Sequence, residues 1–388
     1  MNNEARTSLD SAGIPSQVPS TDLLDVLIVG AGQAGLALGW HLRGQDLDFA
    51  LVDAGPRIGD VWRSRWDSLH LFTPAEYDSL PGMPFPAPAG TYPGKEQVAA
   101  YLEHYARTFD LPVHLQSRVT RLRRRDGYFV AETPRGEFRA RRVVVATGPF
   151  QAPRVPSWST GLSRAVAQLH SSGYRRPDDG ADGSVLVVGG GNSGVQIAED
   201  LAAAGRRVTL AIGTRPRMVP QRPLGKDVFW WFGLVRLIDR PADSLLARRM
   251  RSSREQVLGT SWRRLRQQGI AVRPRATEAA GSAVTFADGS QLRVDGVVWA
   301  TGYRPDYSWL DLPGAVVDGT VLHNRGVSPV SGLYFLGLPW LHTRGSALLG
   351  FVRQDAAWLR QRLDEPWSLR RPGPELVVEA SSAGLLGG

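Results

Sequence analysis

The residues best suited to cofactor chemistry are two glycine-rich segments of the same type. Residues 26–35 read VLIVGAGQAG, and residues 185–194 read VLVVGGGNSG. In each, an aliphatic run typical of a buried parallel strand leads into G-x-G-x-x-G, which opens a helix in dinucleotide-binding folds. The free amide groups and the dipole at such a helix start can hold a pyrophosphate. The repeated strand, glycines and helix predict two bound dinucleotides.

The residue that ends the following strand differs between the two copies and predicts which dinucleotide each binds. Asp53 ends the strand-like residues 49–53, where a carboxylate can accept hydrogen bonds from both ribose hydroxyls of an unphosphorylated adenosine. The second copy has Ile212 there, followed by GTRPR at residues 213–217. One hydroxyl and two guanidiniums suit a 2'-phosphate. We predict FAD in the first site and NADPH in the second; the alternative is that the two arginines are ordinary surface residues.

Composition excludes several classes of protein. The chain has 388 residues with 42% apolar and 21% charged content, which suits two or three globular domains. Its net charge of +9 comes from a composition in which Lys95 and Lys226 are the only lysines among 46 basic residues. The basic runs flank a strand-like segment and are interpreted as solvated faces, so no nucleic acid partner is predicted. The absence of cysteine excludes a redox-active dithiol, and the scattered histidines predict no metal site.

The order of these segments predicts the domain organisation. Ala-Thr-Gly follows a strand-like run at residues 146–148 and again at 300–302, on either side of the second fingerprint. We therefore predict an α/β protein with two Rossmann-like dinucleotide-binding domains, the NADPH domain inserted into the FAD domain. The predicted limits are residues 1–22 for a disordered tail, 23–165 and 301–364 for the FAD domain, 166–300 for the NADPH domain and 365–388 for a C-terminal tail.

Three further segments bear on the site. Residues 55–94 are irregular and rich in proline and glycine, and a loop of this length is expected to cover a ligand. Residues 96–109 and 348–363 are predicted to be helices, the second with its N-terminus towards the flavin. The apolar residues 228–238 are too short to span a bilayer, which takes about 20 residues. Their aromatic side chains could line a substrate entrance, contact a membrane surface peripherally or cover a domain interface.

Several of these segments resemble one known family. GDVW at residues 59–62, WDSLHLFTP at 66–74, LPGMPFP at 80–86 and ATGY at 300–303 look like the flavin-containing monooxygenases (class B flavoprotein monooxygenases). Residues 189–194 with the segment after them are similar to plant YUCCA-type enzymes. Residues 66–82 also resemble flavoprotein monooxygenases of bacterial arsenic-resistance operons.

The chain departs from the family's pattern at two places. Of the motif F-x-G-x-x-x-H-x-x-x-Y it keeps His170 and Tyr174, while Arg164 and Val166 replace the phenylalanine and the glycine. Tyr174 favours the branch that oxygenates nitrogen and sulfur. Phe72 stands where animal-type members carry an asparagine close to the oxygen adduct of the flavin. Thr73 could donate a hydrogen bond to that adduct instead. Alternatively, Thr73 could satisfy a loop amide, and backbone amides and bound NADP would then contact the flavin adduct.

The resemblance implies an NADPH-dependent FAD monooxygenase. NADPH would reduce the flavin, and reduced FAD would react with O2 to form a C4a-hydroperoxide while the protein excludes water. The substrate would be a small molecule with a soft nitrogen, sulfur or metalloid centre, or a 2-oxo acid that is oxidatively decarboxylated. The predicted catalytic residues are Asn192 and Thr73; Asn192 could contact the bound dinucleotide or cap its helix. The predicted cofactor-binding residues are Gly30, Gly32, Gln33, Ala34, Gly35, Asp53, Ala54, Gly59, Trp62, His70, Leu71, Val119, Ala146, Thr147, Gly148, Gly189, Gly191, Asn192, Ser193, Gly194, Thr214, Arg215, Arg217, Ala300, Thr301, Gly302 and Gly337.

Other functions and locations stay open at this point. The basic surface would suit a reductase that passes flavin electrons to an acidic protein acceptor, and a flavin-binding sensor without turnover is a third hypothesis. The polar start of the chain has no signal peptide, which favours the cytoplasm. The oligomeric state, including a homodimer, is undetermined.

Overall fold

The computed structural model describes residues 23–235, 238, 240–251 and 256–363. The predicted tails, residues 1–22 and 365–388, lie outside the described residues. The helices are α1 (Gln33–Leu42), α2 (Asp60–Arg63), α3 (Lys95–Thr108), α4 (Asn192–Ala203), α5 (Val228–Leu234), α6 (Leu245–Arg251), α7 (Trp262–Gln267) and α8 (Val352–Leu363). The strands are β1 (Leu23–Val29), β2 (Phe49–Val52), β3 (Val113–His114), β4 (Arg121–Arg125), β5 (Tyr128–Thr133), β6 (Gly136–Val145), β7 (Ala152–Pro153), β8 (Ala167–His170), β9 (Ser184–Val188), β10 (Arg207–Ala211), β11 (Arg217–Val219), β12 (Gln256–Leu258), β13 (Ala271–Arg273), β14 (Ala276–Ala280), β15 (Ala283–Phe286), β16 (Gln291–Arg293), β17 (Gly296–Trp299), β18 (Tyr303–Arg304), β19 (Leu310–Asp311), β20 (Val316–Val317), β21 (Thr320–Val321) and β22 (Leu333–Phe335).

The first sheet is built around β1, the strand of the first fingerprint. β1 pairs in parallel with β2 on one side and β6 on the other. The first half of β6 pairs antiparallel with β5, while its second half pairs in parallel with β22. β1 and the second half of β6 are aliphatic and fully buried at most positions, as expected for parallel strands covered on both faces. The sheet therefore has a Rossmann-like parallel part and an extension in which β5 and β4 pair antiparallel and β19 pairs in parallel with β4.

The second sheet is parallel throughout, in the order β13-β10-β9-β17-β8. Successive side chains of a strand point to opposite faces, and β9 shows this directly. Val185 and Val187 belong to one buried cluster, and Leu186 and Val188 to another. The predicted α/β fold with two Rossmann-like units is confirmed.

The second sheet is inserted into the first along the chain. Its strands, β8 to β17, lie in sequence between β6 and β22, which are neighbours in the first sheet. The two connecting segments meet where β7 pairs antiparallel with β18, directly after the two Ala-Thr-Gly sequences. This is where the sequence predicted that the chain crosses; the limits at residues 165 and 300 stay predictions.

The two predicted helices differ in accuracy. The one expected at residues 96–109 is α3, shifted by one residue. The one expected at residues 348–363 is wrong at its start, because α8 begins only at Val352. The preceding residues form turns in which Ser346 Oγ accepts hydrogen bonds from the amides of His342 and Thr343, at 3.1 and 2.9 Å. A serine side chain commonly competes with helix in this way.

Within the described ranges, every helix falls short of the length and apolar character that crossing a bilayer requires.

Candidate cofactor and active site

The two fingerprint helices begin with the same backbone geometry. α1 is preceded by Gly32 with φ −78° and ψ −171°, and α4 by Gly191 with φ −79° and ψ −173°. No side chain caps either helix start. Because the first amides of a helix have no intrahelical partner, both starts can receive a pyrophosphate.

The three glycines of the first fingerprint have different physical roles. Gly30 has φ +109°, and a Cβ added there would lie 2.5 Å from the carbonyl oxygen of Ala146. A Cβ on Gly35 would lie 1.9 Å from the carbonyl oxygen of Gly30. A Cβ on Gly32, by contrast, would meet no atom within 4 Å. Packing of the protein itself requires the outer two glycines, whereas the open space at Gly32 fits close approach of a pyrophosphate.

The second fingerprint repeats this packing. Gly189 has φ +123°, and a Cβ there would lie 2.1 Å from the carbonyl oxygen of Ala300. A Cβ on Gly194 would lie 2.0 Å from the carbonyl oxygen of Gly189. Ala300 thus occupies the position that Ala146 has in the first copy. Ser193, within this helix start, is half-buried.

Asp53 links the first fingerprint turn to the loop after β2. Its Oδ2 accepts a hydrogen bond from the amide of Ala31 at 2.7 Å, and its Oδ1 accepts one from the amide of Gly55 at 2.8 Å. A carboxylate offers about four acceptor positions, so it retains capacity for ribose hydroxyls. The next residue, Ala54, is exposed.

The end of β22 also reaches this site. Gly337 has φ +76°, and a Cβ there would lie 2.7 Å from Cβ of Ala34. The predicted residues Gly337 and Ala34 are therefore brought together at the start of α1.

The loop after β10 carries the groups predicted for a 2'-phosphate. Thr214 and Arg215 are exposed, and the guanidinium of Arg215 lies 4.7 Å from the ring centroid of Trp262. Arg217 is exposed at the start of β11. The structure adds Arg275, whose guanidinium lies 2.8 Å from the position of a Cβ on Gly213. Sequence reasoning missed Arg275; the available signal was its position just after β13, which pairs with β10 and so ends at the same sheet edge.

The residues that follow the two Ala-Thr-Gly strands make local contacts. Gln151 Nε2 donates hydrogen bonds to Thr147 Oγ1 at 2.8 Å and to the carbonyl oxygen of Gly148 at 3.0 Å. Thr301 donates its hydroxyl hydrogen to the carbonyl oxygen of Arg154. These bonds fix the turns beside both fingerprints.

The retained half of the family motif braces the second unit. His170 Nε2 lies 3.0 Å from the carbonyl oxygen of Gly302 and donates to it, and burial lowers the pKa of the imidazole. The hydroxyl of Tyr174, a fully buried side chain, donates to Asp200 of α4 at 2.7 Å. The first contact connects β8 with the turn after β17, and the second connects the turn after β8 with α4, the helix of the second fingerprint.

Five further predicted cofactor-binding residues lie outside the two fingerprints and outside the Ala-Thr-Gly segments. They are Gly59, Trp62, His70, Leu71 and Val119. Gly59, with φ +80°, packs against Ala99 of α3, and Trp62 packs against the cores of both sheets. Leu71 packs against the first core, Val119 is buried, and His70 Nδ1 lies 2.9 Å from the carbonyl oxygen of Ser68. Their cofactor contacts stay predictions.

Asn192 connects the second fingerprint to β12. It is the first residue of α4, where Gly191 is the N-cap, so the interpretation of Asn192 as a cap is wrong. Its Nδ2 donates to the carbonyl oxygen of Gln256 at 3.2 Å, and its Oδ1 accepts from the amide of Leu258 at 3.2 Å. The side chain of Gln256 in turn accepts a hydrogen bond from Arg344 Nη2 at 3.0 Å.

Thr73 is paired with an acid that the sequence did not single out. Its hydroxyl donates to Asp78 Oδ1 at 2.6 Å. The alternative prediction, that this hydroxyl satisfies a loop amide, is therefore wrong. Both side chains are buried, and Asp78 Oδ2 has no hydrogen-bond partner among the described residues. Burial raises the pKa of Asp78 to about 7, although the hydrogen bond from Thr73 opposes the shift. In the sequence, Asp78 looks like any polar residue of an exposed loop.

Phe72 belongs to an aromatic cluster formed by Phe72, Tyr77, Phe229, Phe232 and Phe351. Phe72 stacks on Phe229 with ring centroids 6.1 Å apart, and Phe229 contacts Phe232 edge-on at 5.8 Å. The cluster joins the loop before α3, helix α5 and the turns before α8.

The turns at residues 342–351 connect the two fingerprints. Gln33 Nε2, at the start of α1, donates to the carbonyl oxygen of Ala347 at 3.3 Å. Arg344, three residues earlier, donates to the side chain of Gln256, whose backbone carbonyl accepts a hydrogen bond from Asn192. One short segment therefore contacts both predicted cofactor sites.

Comparison with known proteins gives consistent matches. The family model described as pyridine nucleotide-disulphide oxidoreductase matches residues 27–223. An uncharacterised CzcO-like oxidoreductase of Geobacillus kaustophilus is 46% identical over 340 residues, 87% of this chain and 97% of the relative. The probable indole-3-pyruvate monooxygenase YUCCA8 of Arabidopsis thaliana is 29% identical over 90% of each chain. A solved flavin-containing monooxygenase from Stenotrophomonas maltophilia matches with a TM-score of 0.75 and 29% identity, over 88% of this chain and 98% of that one.

Proposed function

We propose that this chain, which belongs to the pyridine nucleotide-disulphide oxidoreductase family, is a flavin-containing monooxygenase like the relatives it resembles. In this proposal it uses FAD, NADPH and O2 to oxygenate a small organic molecule. One oxygen atom enters the substrate and the other leaves as water, while NADPH supplies the two electrons. The acceptor is a soft nitrogen, sulfur or metalloid centre, or a 2-oxo acid that loses CO2. Disulphide reduction by a dithiol of this chain is excluded because the chain contains no cysteine.

The observation that carries the proposal is the pair of matching, uncapped fingerprint helices connected by residues 342–351. FAD would lie with its pyrophosphate at Gly32 and its ribose at Asp53. NADPH would lie with its pyrophosphate at Gly191 and its 2'-phosphate at Arg215 and Arg275. The contacts from residues 342–351 to Gln33 and Asn192 support a reaction site between the two.

The protein's own contribution is to bind, orient and exclude water. When bound, the flavin supplies the transfer of electrons from NADPH to O2. Asn192 keeps β12 against the second fingerprint, so it acts by positioning in this structure, and Thr73 is occupied with Asp78. The aromatic cluster and the loop at residues 55–94 would restrict water at the site.

The proposal is tested by supplying the FAD-loaded protein with NADPH, 18O2 and candidate amines, sulfides and 2-oxo acids. We expect one 18O atom in the oxygenated product, and faster NADPH oxidation when that substrate is present. Rapid reduction of an added electron-acceptor protein, with no 18O in any substrate, would contradict the proposal and favour a reductase.

A further inference from the structure

Arg344 is a half-buried cation with no acidic partner among the described residues. It lies in the turns before α8, and the only hydrogen bond that the described residues give it is with the neutral amide oxygen of Gln256, at 3.0 Å. Burial lowers the pKa of Arg344, and no carboxylate of the described part of the chain opposes that shift. The nearby buried acid, Asp355, instead interacts with Ser346, His342 and Arg325.

This arrangement is costly for a purely structural arginine. Removing a charge from water carries a large penalty unless an opposite charge or several hydrogen bonds replace the water. A guanidinium has five N–H donors in a planar fork that matches a carboxylate or a phosphate. Arg344 is therefore arranged to receive an anion that the described residues do not provide.

The location of Arg344 points to the reaction site. Its partner Gln256 is held by Asn192 of the second fingerprint at 3.2 Å, and Ala347, on the same turns, is held by Gln33 of the first at 3.3 Å. Arg344 therefore lies on the segment that is linked to both predicted cofactor sites.

An apolar surface lies directly beside the guanidinium. The Cζ atom of Arg344 is 5.8 Å from the ring centroid of Phe232, within reach of a cation–π contact. Phe232 continues through Phe229 to Phe72 and Phe351 in the aromatic cluster. A ligand at this position meets a positive charge at one end and aromatic rings at the other.

We propose that Arg344 binds the carboxylate of an organic acid substrate whose apolar part lies against the aromatic cluster. The inference rests on the proposed function and deepens it, because it selects carboxylic acids among the substrates named above. The same guanidinium chemistry could hold a phosphate of NADPH, and the experiment separates the two anions.

The test measures binding of 3-phenylpropionate and of its neutral counterpart 3-phenylpropionamide to the FAD-loaded protein by calorimetric titration. We expect the acid to bind about tenfold or more tightly than the amide. Arg344→Gln should abolish that preference by weakening the acid alone, and Arg344→Lys should restore part of it. Arg353→Gln, an identical charge change at an exposed position of α8, should keep the preference. Equal binding of acid and amide by the unmodified protein would overturn the proposal.

Two further measurements distinguish the competing explanations. If Arg344→Gln weakens NADP+ binding and leaves binding of 3-phenylpropionate unchanged, the anion that Arg344 binds is a cofactor phosphate and the proposal is wrong. Gln256→Leu removes the hydrogen-bond partner but keeps the charge, so the acid preference should survive. Its loss in that variant would show that Arg344 only positions β12. FAD content and melting temperature identify a variant that fails to fold.

These binding measurements do not require turnover. Preferential binding of the acid, together with no 18O in any product of the oxygenation test, would contradict the proposed function and leave the assignment of Arg344 standing.

Discussion

At the residue scale, the glycines of the first fingerprint separate requirements of the fold from requirements of the cofactor. Gly32→Ala places a methyl group in open space at an ordinary φ of −78°. We expect its free energy of unfolding without FAD to change by less than about 1 kcal/mol. FAD affinity should fall about tenfold or more, because the methyl group occupies the path of the pyrophosphate. Thermal unfolding and flavin titration measure the two effects.

Gly35→Ala is the matched comparison. Its methyl group would lie 1.9 Å from the carbonyl oxygen of Gly30, so we expect a loss of about 1–3 kcal/mol of stability even without FAD. Full FAD affinity in Gly32→Ala would show that no pyrophosphate approaches this glycine.

Asp78 gives a prediction for the dependence of stability on pH. Its pKa is raised from 3.8 to about 7 in the folded protein, so the folded state retains a proton that the unfolded state loses. The free energy of unfolding should therefore decrease as pH rises from about 4 to about 7 and level off above that. At about 1.4 kcal/mol per pKa unit, the upper limit of this contribution is roughly 4 kcal/mol.

Asp78→Asn should remove this part of the pH dependence, because the amide does not titrate, and denaturant unfolding at several pH values measures it. Asp110→Asn, at an exposed loop position, should retain the decrease seen in the unmodified protein. Identical pH profiles for Asp78→Asn and the unmodified protein would argue against a buried, protonated Asp78.

Some of the predicted site residues are linked by local geometry. The glycines of the first fingerprint and Asp53 lie within one strand-helix-strand unit, so their spacing carries the information, and their cofactor contacts stay predictions. Asp78 and Arg344 are distinguished by their burial, and Arg275 by its position beside Gly213. These features arise from contacts across the fold, and no local pattern separates the three residues from ordinary loop residues.

At the scale of elements, the loop after β10 is predicted to decide between NADPH and NADH. Arg275→Ser and Arg215→Ser should each raise the KM for NADPH by about tenfold, because each removes a charged donor from the 2'-phosphate. The KM for NADH should change little, since NADH lacks that phosphate. Steady-state oxidation of the two nucleotides measures the ratio.

Arg293→Ser, at an exposed position of β16, is the control for loss of one positive charge and should leave the ratio unchanged. Equal effects of Arg275→Ser on both nucleotides would indicate that this arginine does not recognise the 2'-phosphate.

Elements were predictable where hydrophobic periodicity decides the structure. Helix α3 appears within one residue of its expected position because Val98, Leu102 and Tyr105 form one buried face. The start of α8 was wrong because Ser346 satisfies backbone amides in a turn and because Gly350 packs against the backbone of Tyr77. Both effects depend on tertiary neighbours.

At the scale of the whole molecule, the insertion was predictable because the chain repeats one local unit. The carbonyl oxygens of Ala146 and Ala300 each lie against the first glycine of a fingerprint. Two similar sequences therefore mark the two crossing points. The junction between the units was not predictable. It depends on residues 342–351 meeting Gln33 from one unit and Gln256 from the other, and neither contact has a sequence signature.

The central claim is that both cofactors act together at this junction to activate O2. The most direct test reduces the FAD-loaded protein with NADPH without oxygen, mixes it with oxygenated buffer in a stopped-flow spectrophotometer and follows the flavin absorbance. The account predicts a transient band that belongs to neither reduced nor oxidised flavin and that decays faster when a substrate is present. Direct return of oxidised flavin, with no transient band and no effect of any substrate, would contradict it.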